Sequence, residues 1–125
     1  MAEIKKNKTI LFAEDDEQIR WITSEILKSE GYDVFDVENG ELAYNLVLKK
    51  KQEIDILLTD LHMPKMKGLD LIEKVLAKMP KMKILISSGY ISNVEEGIDI
   101  VGKKIPVLIK PYTRSALLKK IINLG

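Results

Sequence analysis

Five times along this chain a short β-prone run is followed by a stretch with helical spacing, and that alternation restricts the fold more than any other feature. The runs are TILFA (Thr9 to Ala13), YDVFDV (Tyr32 to Val37), IDILLTD (Ile54 to Asp60), KILISS (Lys83 to Ser88) and PVLIK (Pro106 to Lys110). Between them, Ile19, Ile22, Ile26 and Leu27 recur at helical spacing, and Gly31 follows as a stop. Leu42, Leu46 and Val47 mark one face of a second helix, which ends in lysines that suit a helix C-terminus. Leu69 to Met79 is an amphipathic helix stopped by Pro80, and Thr113 to Leu124 closes the chain. Ser92 to Val101 is expected to be a less regular helix, because Gly97 sits inside it.

Strands that alternate with helices require right-handed crossovers, hence a parallel sheet covered on both faces. The expectation is an α/β fold, one doubly wound five-stranded parallel sheet with five helices, formed by residues 1–125 as a single domain. In such sheets ligands bind beyond the carboxyl ends of the strands. Composition narrows the chemistry. Twenty basic and 19 acidic residues give a formal net charge of +1, so broad electrostatic binding to nucleic acid or an anionic membrane is not expected. The absence of cysteine excludes disulfides, thiol catalysis and thiolate metal sites. The N-terminus carries no apolar signal segment, and no apolar stretch is long enough to span a bilayer, so a cytoplasmic location is expected.

The strand ends hold the chemistry. The first strand ends in Glu14, Asp15 and Asp16, the third in Asp60, the fourth in Ser87, Ser88 and Gly89, and the fifth in Lys110 and Pro111. Singly, most of these have plain readings: Asp16 as a helix N-cap, Ser88-Gly89 as a turn, Lys110 as a surface lysine. Asp60 is harder to dismiss, since a carboxylate that closes an apolar strand is costly unless something pairs with it. Asp15, Asp16 and Asp60 together would repel one another, and a hard divalent cation relieves this; an all-oxygen site suits Mg²⁺. Zinc is disfavoured with no cysteine and one histidine. Asp60 can then act as a nucleophile toward a phosphoryl group, with Lys110 and a serine hydroxyl pairing with the phosphoryl oxygens.

The ordered set Glu14-Asp15-Asp16, DLHMPKMKG from Asp60 to Gly68, SSGY from Ser87 to Tyr90, and KPY from Lys110 to Tyr112 resembles the receiver domain of two-component response regulators. The resemblance covers nearly the whole chain. It implies a flavodoxin-like, CheY-like fold of strand order 2-1-3-4-5. It implies Asp60 as phosphoacceptor and Mg²⁺ held by Asp15, Asp16 (most directly), Asp60 and the backbone carbonyl of His62, whose imidazole is not a ligand. Ser88 would be the switch hydroxyl and Lys110 the lysine that contacts the phosphoryl group, with a cis Lys110–Pro111 bond. His62 and Tyr90 would flank the phosphoryl group. The donor would be a sensor histidine kinase or phosphotransfer protein. The chain would be no enzyme beyond catalysing its own phosphorylation and dephosphorylation, and would stand alone or form part of a longer protein such as a hybrid kinase.

One position departs from the family pattern: Val107 stands where many receivers carry the aromatic residue that turns inward on activation. Two rivals are weaker. A haloacid-dehalogenase-like phosphatase needs a second aspartate two places after the nucleophile, where this chain has His62. A flavodoxin-like cofactor binder needs a phosphate-cradling loop after the first strand, where EDDEQ would repel phosphate.

Overall fold

The computed structural model describes residues 7–89 and 97–125. Its elements follow in the order β1 (Thr9–Ala13), α1 (Glu17–Ser29), β2 (Asp33–Val37), α2 (Gly40–Lys50), β3 (Ile56–Asp60), α3 (Gly68–Lys78), β4 (Lys83–Ser88), β5 (Ile98–Ile100), β6 (Lys103–Ile105), β7 (Val107–Ile109) and α4 (Arg114–Asn123). Five strands form one parallel sheet in the order β2-β1-β3-β4-β7, so the expected strand order holds with β7 as the fifth strand.

Successive residues of a strand point to opposite faces, and here both faces are dry. Ile10 and Phe12 of β1, Ile56 and Leu58 of β3, and Leu85 of β4 pack against Leu27 of α1 and Leu117 and Ile121 of α4. Their neighbours Leu11, Ala13, Leu57, Ile84 and Ile86 face the other way, onto Ala43 and Val47 of α2 and Leu71, Ile72 and Val75 of α3. Helices α2 and α4 start on side-chain caps: Asn39 Oδ1 accepts from Leu42 N at 2.8 Å, and Thr113 Oγ1 from Ala116 N at 3.0 Å.

Two expectations are corrected here. Among the described residues there are four helices, not five. The expected helix from Ser92 to Val101 lies partly outside the described residues, as does Tyr90; where it is described, Ile98–Ile100 is a strand, paired antiparallel with Lys103–Ile105. Val101 (φ 42°) and Gly102 (φ 82°) form the two-residue turn, whose positive angles match the twist of a hairpin. Gly97 (φ 81°) opens it, and a Cβ there would lie 2.7 Å from the carbonyl oxygen of Ile105. Ile100 and Ile105 are buried against the α2–α3 side of the core, so cross-strand pairing and burial together outweigh helical spacing.

The second correction concerns α1. Its apolar stripe is only partly the core face: Leu27 is buried and Ile26 packs against the same cluster, but Ile22 is 53% exposed, and Thr23 and Ser24 are buried instead. Leu42 of α2 is likewise exposed, with Ala43 and Val47 inside.

Candidate functional site

The carboxyl ends of β1, β3 and β7 meet at a cleft of about 540 Å³ lined by Glu14, Asp15, Asp16, Ile19, Asp60, His62, Gly89 and Lys110. Asp60 is the last residue of β3, only 7% exposed, and its Oδ2 accepts from Lys110 Nζ at 2.8 Å. Its Oδ1 accepts from the backbone N–H of His62 at 3.2 Å. The acid thus has one oxygen on a cation and one on a turn. That turn is held from below. Met66 N–H donates to Pro64 O across Lys65 (φ 71°), a γ-turn, and Gly68 N–H donates to Leu61 O at 2.9 Å. A side chain at Gly68 would overlap the carbonyl oxygen of Asp60, so the chain can pass this close to the strand end only as glycine.

Glu14 is the residue that sequence reasoning underrated. It is 1% exposed, its Oε1 lies 2.6 Å from Lys110 Nζ, and its Oε2 accepts from Asp16 N–H at 3.1 Å. Lys110 therefore bridges two buried carboxylates. Carboxylate oxygens of Glu14, Asp15 and Asp60 all lie within 4.8 Å of one another. Asp16 is not in that group. Its Oδ1 accepts from Ile19 N at 3.0 Å as the N-cap of α1, although the residue also lines the cleft. The sequence pointed to Asp15 with Asp16 and Asp60 as the ligand trio; the carboxylates that the structure brings closest together are those of Glu14, Asp15 and Asp60. The signal available in the sequence was the helix pattern: a cap must stand just before Glu17, and Asp16 occupies that place.

Burial is the largest influence on Glu14 and raises its carboxyl above the ordinary value, ahead of the Lys110 hydrogen bond and charge that lower it. For Lys110 burial is again the largest single influence and acts downward. Hydrogen bonds to Asp60 and Glu14, with their charges, outweigh it and hold the ammonium above its usual value. Ser88 is 1% exposed at the end of β4, and its backbone carbonyl accepts from Lys110 N at 3.0 Å; the residue of this strand end that lines the cleft is Gly89. The Lys110–Pro111 bond is cis, as expected. Val107, in place of an aromatic, is buried in the core on the α2–α3 side.

An acid closing the third of five parallel strands and paired with the lysine at the end of the fifth is the arrangement the motifs implied; the bridge from that lysine to Glu14 is added by the structure. Residues 10–122 match the family described as response regulator receiver domain. This chain belongs to that family. The receiver is 31% identical over 114 residues to the response regulator receiver protein CpdR of Brucella abortus, covering 91% of this chain and 93% of that one. It is 32% identical over 102 residues to a cyclic di-GMP phosphodiesterase of Thermotoga maritima, covering 77% of this chain but only 27% of that protein's length. Among solved structures, a CheY-like receiver domain protein from Methanospirillum hungatei superimposes with a TM-score of 0.82 at 28% identity, covering 94% of this chain and 93% of the other. Receivers act in two-component signalling, where accepting a phosphoryl group is the family's general role. No described helix of this receiver is long and apolar enough to cross a membrane.

The cluster fits the divalent cation such domains bind. Its donors are all carboxylate oxygens, close enough to converge on one ion, and their mutual repulsion is only partly offset by Lys110.

Proposed function

We propose that this receiver is a phosphoryl-accepting switch, in which Asp60 takes a phosphoryl group from a phosphohistidine on a sensor histidine kinase or phosphotransfer protein. The observation that carries the proposal is the Lys110 ammonium held at 2.8 Å from Asp60 Oδ2 in a cleft open at the strand ends. An Asp60 oxygen attacks phosphorus, the P–N bond to the donor imidazole breaks, and its electron pair stays with the imidazole nitrogen. Lys110 exchanges part of its contact with Asp60 for the incoming phosphoryl oxygens, a point charge where negative charge develops. Glu14, Asp15, Asp60 and the His62 carbonyl would hold Mg²⁺, which would supply charge neutralisation on the transferring group. Ser88, at the adjacent strand end, supplies the hydroxyl that responds to the phosphoryl group. The chain's own chemistry ends with hydrolysis of the acyl phosphate by water; it acts on no other substrate. The setting is the cytoplasm.

The donor has a seat beside the cleft. Ile19, Ile22, Thr23, Ile26, Pro111 and Tyr112 line an apolar hollow of about 340 Å³ that also includes Lys110. Lys110 and Ile19 border both cavities, so a protein resting on this hollow presents its phosphohistidine to Asp60. The test is intact mass after incubation with acetyl phosphate and Mg²⁺. One added phosphoryl group, labile to hydroxylamine and absent in Asp60→Asn, is expected; full labelling of that variant would refute the assignment.

A further inference from the structure

At the opposite edge of the sheet, the amino ends of β1, β3 and β4 surround a second cleft of about 620 Å³. Its rim carries Lys8, Lys51, Lys78, Lys81 and Lys83, against one acidic side chain, Asp55, and Gly125, whose oxygen accepts from Lys8 Nζ. The Asp55 carboxylate is already engaged, accepting from Thr9 N at 2.8 Å. Lys51, Lys78, Lys81 and Lys83 have no ion-pair partner among the described residues. Lys51 and Lys78 stand at the ends of α2 and α3, where a cation suits the helix dipole. Lys81 and Lys83 lie beyond the helix, on a turn and a strand, and no dipole accounts for them. The floor between the lysines is apolar, built from Ile54, Ile56, Met79 and Met82. Ile54, Ile56 and Met82 are each less than 9% exposed.

We propose that this cleft docks an acidic, partly apolar segment of a partner protein, on the edge of the sheet away from Asp60. Unpaired ammonium groups around an apolar floor are complementary to carboxylates that flank one or two aliphatic side chains. The volume accommodates a few side chains. A nucleic acid fits less well: no aromatic residue lines the cleft to stack a base, and a net charge of +1 with an acidic opposite edge gives no extended positive surface to follow a long polyanion. A membrane fits less well too, because the apolar residues are recessed below the lysines rather than protruding. Separation of the two edges leaves both sites accessible at once, so a partner seated here need not compete with the phosphodonor.

The experiment is an NMR titration of the whole chain with a short peptide alternating glutamate and leucine. Parallel titrations use a single-stranded oligothymidylate of matched charge and phosphatidylserine vesicles. Saturable shifts at Lys51, Ile54, Met82 and Lys83 are expected with the peptide. The double variant Lys51→Glu/Lys81→Glu should weaken binding by roughly tenfold, as two exposed attractions become repulsions. Both lysines are exposed, so the variant should keep its fold and its labelling by acetyl phosphate. Absence of peptide binding, shifts confined to another surface, or affinity unchanged in the double variant would each overturn the proposal. So would tighter binding of the oligonucleotide or the vesicles at this cleft.

Discussion

Replacing Glu14 by glutamine and, separately, Asp16 by alanine divides two roles that adjacent acids share out in this receiver. Asp16 caps α1 through one exposed hydrogen bond of 3.0 Å to Ile19 N. Losing such a cap costs about 1 kcal/mol. For a domain of this size that lowers the melting temperature by about 3 to 6 °C. The loss should be the same with and without Mg²⁺. Glu14 contributes an oxygen to the trio within 4.8 Å. Removing a group that supports a metal weakens affinity by about tenfold or more. A ligand at a hundredfold excess over its Kd stabilises by about 2.7 kcal/mol. A tenfold weaker site therefore forfeits about 1.4 kcal/mol of that gain. Without metal the effect of Glu14→Gln is smaller, because two changes oppose. Lys110 loses its 2.6 Å partner, but burial no longer penalises an ionised carboxyl, and Asp60 still holds the ammonium. The assay is thermal melting across a Mg²⁺ series. If Asp16→Ala abolished the metal-dependent gain and Glu14→Gln preserved it, the assignment of the trio would be wrong.

Lys110→Ala should destabilise by about 2 to 4 kcal/mol at neutral pH, since two buried carboxylates lose their shared cation; urea melts should show most of this recovered in Lys110→Ala/Glu14→Gln. Stability should fall at alkaline pH. Tyr112 is raised chiefly by burial, against its 2.8 Å bond to Thr23, and Lys110 is raised by its carboxylates, so above about pH 10 the native state holds more protons than the unfolded chain. This stabilisation is complete below the ordinary values and disappears as pH rises through the folded ones, and Tyr112→Phe should flatten the alkaline slope of the melting curve. Gly68→Ala should cut the rate of acetyl phosphate labelling by more than it lowers stability, because the added methyl displaces the carbonyl of Asp60; equal losses would show only general unfolding.

Periodicity was enough to read the sheet. Alternating apolar runs and helical spacing set the order of elements, and the register of each strand with its neighbours then carries Asp60 and Lys110 to the same edge. Those two residues were legible because a charge at the end of a buried strand has few uses. The roles of Glu14, Asp15 and Asp16 were not legible to the same degree. Three consecutive acids look alike in a string, yet the chain there leaves a strand and enters a helix. One turns inward to Lys110, the next joins it in the cleft, and the third is taken by the backbone N–H of Ile19. The hairpin at residues 98–105 was likewise a tertiary outcome. Ile98 to Val101 fits either period, and the choice fell to partners distant in space: Lys103 to Ile105 across the turn, and the α2–α3 side of the core beneath. Local spacing states which face is apolar, but only packing decides whether that face is buried, which is why Ile22 of α1 is exposed at a surface hollow beside Lys110 while Ser24 lies beneath the helix.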